Sequence, residues 1–312
     1  MRIYSIFDDF TEEAATILKN EGVYLTVHPY GKPRPNDEEM THILEEYDGV
    51  IIGTSQKIHE NMFDRITDSK IIATASVGVD HIQIPFEKKS LIQILNTPKA
   101  NARSVAEYTI GCALNCCKRF TEGRNLYKHN KNNKALYQKP TDLMGKTMGV
   151  IGAGNISLEI MNYAQVLGMK VICWTKHPES HQDLTNKNIV LCNTIADLVE
   201  AANYISVNLP NLPDTKGIIS EFIISKMKND AVYISVSRKE TQDIAALFER
   251  ASTNPGFYVC LDLDTDSFVS ELIPDIPNVM VTPHIAGGTV ETRKRMFLEC
   301  AQNILLAKNG KM

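Results

Sequence analysis

Tryptophan occurs once in the 312 residues, and positive charge is not in excess: 33 Lys and Arg stand against 37 Asp and Glu, a net charge of −4. That balance leaves no electrostatic footprint for a polyanion, so no nucleic-acid partner is expected. No apolar run reaches the ~18–20 residues needed to cross a bilayer, so no membrane partner is expected either. The first residues, Met1 to Phe7, run straight into a strand-like stretch and meet Asp8 and Asp9, without the shape or cleavage site of a signal peptide. Low-complexity segments and internal repeats are missing. So are clustered metal ligands. The seven cysteines are odd in number, and Cys112, Cys116 and Cys117 share one apolar stretch that no second ligand group answers. They read as buried thiols of a reducing cytoplasm, with no metal site. Hydrophobic content of 43% and charged content of 22% suit a globular protein long enough for two domains.

What is present centres on residues 146–175. Thr147 to Ile151 is a short apolar run, followed at once by Gly152 and Gly154. Leu158, Met161, Ala164 and Leu167 then form a helical stripe that Gly168 ends, and Lys170 to Trp174 is a second apolar run. Strand, glycine turn, helix and strand make a βαβ unit of the ~30 residues that a dinucleotide site needs. One glycine allows the tight turn, the other lets a pyrophosphate approach the backbone, and the helix start offers free N–H groups to that anion. Ser157 stands where the pattern ends in glycine, and a small residue still permits close helix–strand packing.

Apolar strand-like runs alternate with amphipathic helical stretches on both sides of this unit, which predicts an α/β chain with parallel sheets covered on both faces. Among the helices expected are His59–Ile66 and a long apolar one, Ser104–Phe120. Residues 122–141, rich in Lys and Asn, read as a polar surface segment. Candidate polar residues fall just past predicted strand ends: Gly78 and Asp80, Gly152 and Gly154, Thr175, Pro210, Arg238, Asp262 and His284. In open parallel sheets that is where ligands bind.

These stretches resemble the D-isomer-specific 2-hydroxyacid dehydrogenases, the family of the phosphoglycerate, hydroxypyruvate and glyoxylate enzymes. The likeness is carried by Ala75–Ile82, by Asn101–Tyr108 with its Ser104-Val105-Ala106-Glu107, and by the Gly152/Gly154 turn. Asn208-Leu209-Pro210 with Thr215, Val236-Ser237-Arg238 and Val281–Gly287 complete it. It covers nearly the whole chain in the family's order. The resemblance implies two doubly wound parallel-sheet domains: a flavodoxin-like substrate domain (1–97 plus 286–312) and an inserted NAD(P)-binding Rossmann domain (98–285), with the active site between them.

It further implies hydride transfer between a nicotinamide and the carbonyl of a small anionic 2-oxo acid, giving a D-2-hydroxy acid. Arg238 would hold and polarise the substrate, a task suited to a permanently charged planar fork. Lys239 replaces the glycine usual after it. His284 would give the proton to the nascent alkoxide. The family's Glu, which bonds that His, falls on Ser267 here. Asp264, Asp266 and Glu271 are the nearest carboxylates; Asp266 is the leading candidate, the alternatives being another carboxylate or none behind the His. Ser76, Val77 and Gly78 would bind the substrate, Val77 and Gly78 presenting backbone N–H groups to its carboxylate, with His81 nearby as a structural residue. Gly53 stands where phosphoglycerate enzymes tend to carry Arg, which disfavours a phosphorylated substrate.

Cofactor contacts would come from Gly152, Gly154, Asn155, Ile156, Thr175, Lys176, Leu209, Pro210, Thr215, Val236, Asp262 and Gly287. An NAD site wants an acidic residue at the end of the second strand; Thr175 and Lys176 stand there instead, so NADP(H) is expected over NAD(H). The resemblance also implies a homodimer, formed in part through the long helix. Two other readings use the same residues: a nucleotide-sensing protein without catalysis, and a dehydrogenase that oxidises small anions of the formate or phosphite type.

Overall fold

A computed structural model describes residues 1–128, 140–264 and 267–311, with the backbone alone at Ser267 and Phe268. The chain divides into two compact units, Met1–Asn101 with Thr289–Met312, and Ala102–Gly288. Each carries one sheet in which every strand pairing is parallel.

The first unit contains β1 (Arg2–Ser5), β2 (Tyr24–Val27), β3 (Gly49–Ile52), β4 (Lys70–Thr74) and β5 (Ile92–Leu95), in the order β2-β1-β3-β4-β5. That is the flavodoxin-like winding. The central strands β3 and β4 are buried at every residue, as continuous apolar runs require, whereas β2 at the edge is largely exposed. The helix Asp37–Glu46 starts from a capping box in which Asn36 and Glu39 satisfy each other's backbone N–H groups. Ile3, Ile6, Ile51 and Ile72 form the centre of the core. Phe297, Cys300 and Ile304 of the last helix, Val290–Lys308, complete it. The helix expected over His59–Ile66 is only a 3-10 turn, Glu60–Phe63. Ile58, just before it, is held extended by its bridge to Ile82.

The second unit contains β6 (Thr147–Ile151), β7 (Lys170–Trp174), β8 (Val190–Leu191), β9 (Tyr204–Val207), β10 (Val232–Ser235), β11 (Tyr258–Leu263) and β12 (Val279–Pro283). Their order is β12-β11-β10-β9-β6-β7-β8. The chain runs outward one way from β6 and then the other way from β9, so the switch point lies between β6 and β9, where open α/β sheets bind ligands. One apolar layer packs Cys112, Cys116, Ile160 and Met161 on the sheet; the other packs Leu198, Val199, Leu247 and Phe248.

The long helix runs Ala102–Lys118; Ala106, Ile110, Cys112, Ala113, Cys116 and Cys117 are buried in the second unit's core, and Arg103, Glu107 and Gly111 form the exposed row. Arg119, at φ +59°, breaks the helix, and a second one runs Phe120–Lys128 where a polar surface segment was expected. Arg119 anchors the break: its guanidinium lies over the Tyr258 ring and 3.3 Å from Glu122. Residues 129–139, the rest of that polar segment, lie outside the described residues. The seven cysteines are free thiols, all buried except the half-buried Cys192. Among the described residues no helix is long and apolar enough to cross a membrane, and no cluster of His, Cys, Asp and Glu could hold a metal ion.

Candidate active site

At the end of β6 the backbone turns through Gly152, φ +104°. A Cβ there would lie 2.9 Å from the Asn208 carbonyl oxygen, so only glycine fits both the dihedral and the space. Gly154 caps the helix Asn155–Val166 without any side-chain cap, and a Cβ on it would meet nothing within 4 Å. Open room therefore stands beside Gly154, at the positive end of a 12-residue helix whose first turn includes Asn155 and Ile156. Ser157 is fully buried, consistent with close packing of helix on sheet. These features fit a dinucleotide pyrophosphate. Just beyond β7, the Thr175 hydroxyl accepts from the His177 N–H at 3.4 Å, and Lys176 is ion-paired with Asp214.

The ends of β9 and β10 are tied by Ser237. Its hydroxyl, in a side chain 4% exposed, donates to Val207 O at 3.1 Å and accepts from Leu209 N–H at 2.8 Å. Val236 N–H donates to Val207 O as well. The Thr215 hydroxyl donates to Pro210 O at 2.5 Å and accepts from Leu212 N–H at 2.9 Å, so it fixes the 210–215 loop. Arg238 follows Ser237 directly, and its own carbonyl accepts from the Thr241 hydroxyl at 2.8 Å.

The ends of β11 and β12 bring the reactive groups together. The parallel register pairs Asp262 with Thr282 and Leu263 with Pro283. One step further places Asp264 beside His284, and Asp264 Oδ1 lies 2.6 Å from His284 Nδ1. The other carboxylate oxygen, Oδ2, faces Arg238 Nε at 3.8 Å. His284 sits at φ +51°, an uncommon conformation for a non-glycine residue. Asp262 holds that turn: it is 4% exposed and accepts from the Thr282 hydroxyl at 2.5 Å, Ile285 N–H at 2.9 Å and Ala286 N–H at 2.8 Å. Tyr108 reinforces it through Thr282 at 2.6 Å, and burial pushes the Tyr108 phenol above its usual range. Gly287 follows in the same turn.

In the first unit, the loop after β4 is braced through its oxygen atoms. Gly78 O accepts from the Ser76 hydroxyl, Val77 O from Asn96 and Ser76 O from Thr97. The Ser76 hydroxyl bonds Thr74 at 2.7 Å, and Thr74 in turn lies 3.0 Å from His81 Nε2, which gives His81 a structural place. Among the described residues nothing accepts from the Val77 or Gly78 N–H, so both donors are available to an anion.

Sequence reasoning placed Arg238 and His284, which the second unit brings to one carboxylate. Asp266, chosen as that carboxylate, lies outside the described residues; the partner seen is Asp264. The signal for it was available in principle: Asp262 and Asp264 share a strand face, and the spacing of 20 that joins Asp262 to Thr282 also joins Asp264 to His284. Asp262, expected at the cofactor, has its carboxylate taken up by the His284 turn. Ser237 enters the sequence reading only as part of the Val236-Ser237-Arg238 stretch, and Asp214 does not enter it.

The description "D-isomer specific 2-hydroxyacid dehydrogenase, NAD binding domain" fits residues 110–286 of this chain. A hydroxypyruvate reductase of Thermotoga maritima is 32% identical over 305 residues, covering 95% of each chain. A glyoxylate reductase of Thermofilum pendens is 27% identical over 310 residues, 96% of this chain and 90% of that one. Among solved structures, an acyclic imino acid reductase in complex with NADPH and D-Arg superposes with a TM-score of 0.84 at 25% identity, over 100% of this chain and 98% of its own.

Proposed function

The chain belongs to the D-isomer specific 2-hydroxyacid dehydrogenase family, and we propose that it reduces a small 2-oxo acid to the D-2-hydroxy acid with a nicotinamide dinucleotide. The observation that carries this reading is the Asp264 carboxylate, bonded to His284 Nδ1 and facing Arg238. A bound reduced nicotinamide supplies the hydride. Arg238 holds the substrate's carboxylate and draws electron density from its carbonyl. His284 delivers the proton to the developing alkoxide from Nε2, because Nδ1 is held by Asp264. Asp264 fixes the ring orientation through its hydrogen bond to Nδ1. The Val77 and Gly78 N–H groups bind the substrate carboxylate. Gly152, Gly154 and the first turn of Asn155–Val166 hold the pyrophosphate.

Thr175 and Lys176 support NADP(H) over NAD(H), since no acidic residue ends β7 to engage the ribose hydroxyls. A homodimer is proposed, and sedimentation tests it. The function itself is tested by turnover of glyoxylate, hydroxypyruvate, pyruvate and bulkier 2-oxo acids with both cofactors, an amine being added in one series to offer imines. Reduction of at least one oxo acid is expected. Dinucleotide binding with no turnover of any substrate supports a sensor instead.

A further inference from the structure

Lys176 lies two residues beyond the end of β7, and Asp214 lies in the segment that follows β9. The strand between these two is β6, whose Ile151 pairs with Trp174 on one side and Val207 on the other. Neighbouring strands are ~4.8 Å apart, so the two loops leave the sheet roughly 10 Å from each other with the Gly152–Gly154 turn rising between them. The ion pair of Lys176 Nζ with Asp214 Oδ2 joins those loops. Asp214 stands on a loop that Thr215 holds from within: its hydroxyl engages Pro210 and Leu212, and the Thr215 and Lys216 N–H groups return to Leu212 O. The end of β7 thus has a carboxylate after all, delivered from a different loop and already engaged with the cation that a ribose phosphate would need. The other acidic residue nearby, Glu179, bonds His177.

We propose that Asp214 is a specificity-determining residue for the adenosine ribose, competing with a 2′-phosphate for Lys176 and so limiting the preference for NADP(H). This rests on the dinucleotide reading above. A phosphate arriving at Lys176 exchanges with the Asp214 carboxylate. A ribose with a free hydroxyl leaves the pair closed. Both side chains are about half exposed, 52% and 46%, so the exchange shifts affinity modestly rather than deciding it outright.

The single tryptophan, Trp174, ends β7 and gives a direct binding signal through its fluorescence. Titration of the intact chain with NADPH and with NADH measures both Kd values without any substrate. Asp214→Asn is expected to tighten NADPH about two- to fivefold and to change NADH less. Lys176→Met is expected to weaken NADPH about tenfold and leave NADH close to its original value. The proposal is overturned if Asp214→Asn leaves the ratio of the two Kd values unchanged or shifts it toward NADH while either cofactor still binds. Absence of binding of either cofactor to the unaltered chain overturns the dinucleotide reading itself.

Discussion

Asp264 and His284 face each other one step beyond the last paired residues of β11 and β12, with a 2.6 Å hydrogen bond between Oδ1 and Nδ1. The contact is a product of strand register. Any shift of β12 against β11 would separate the two side chains, and the three hydrogen bonds that Asp262 accepts, from Thr282 in β12 and from Ile285 and Ala286 in the turn after it, oppose such a shift.

Asp264→Asn removes the charged acceptor beside His284 Nδ1 while preserving shape. A hydrogen bond to a charged group contributes about 1.5–3 kcal/mol, so kcat/KM for oxo-acid reduction is expected to fall roughly 10- to 100-fold. Asp266→Asn serves as the comparison: the same loss there, with none in Asp264→Asn, returns the role to Asp266.

Arg238→Lys keeps the charge and discards the fork. Loss of a bidentate contact to the substrate carboxylate is expected to raise KM for the oxo acid by ten times or more with the dinucleotide Kd unchanged. Steady-state kinetics alongside Trp174 fluorescence titration separates the two effects. A change in dinucleotide Kd of similar size would place Arg238 at the cofactor.

Gly152→Ala and Gly154→Ala test the turn after β6 in different ways. The first puts a Cβ 2.9 Å from a carbonyl oxygen at φ +104°, and about 1–3 kcal/mol of stability is expected to be lost, read by urea denaturation. The second meets only open space, so the fold stays near its original stability. Its methyl group occupies the room proposed for the pyrophosphate, and dinucleotide Kd rises. Unchanged binding in Gly154→Ala would move the phosphates elsewhere.

His284→Asn and His284→Ala both abolish proton delivery and differ in backbone tolerance. Asparagine adopts left-handed dihedrals more readily than alanine, so at φ +51° the Asn variant is expected to be the more stable of the two. Thermal melting of the pair checks this, and equal melting points would remove the backbone from consideration.

Much of this arrangement is legible in the chain. The runs Gly49–Ile52 and Thr147–Ile151, too apolar for a sheet with a wet face, disclose buried parallel strands, and Gly152, Arg238 and His284 disclose themselves by following strand ends. Asp264 was less legible because its pairing depends on the register of strands far apart in sequence. Asp214 was hidden for a related reason: its partner lies across an intervening strand, and only strand order makes them neighbours. The helix Phe120–Lys128 was missed because its polar composition resembles a loop; what defines its start is the Arg119 break.

The last helix, Val290–Lys308, belongs to the core around Ile3, Ile51 and Ile72, whereas Ala102–Gly288 draws its two apolar layers from one uninterrupted stretch. During synthesis the middle of the chain has all it needs to close while the beginning still waits for Phe297, Cys300 and Ile304. Strands β1 to β5 are therefore sealed only once the helix Val290–Lys308 has been made, and until then the apolar face it covers stays open.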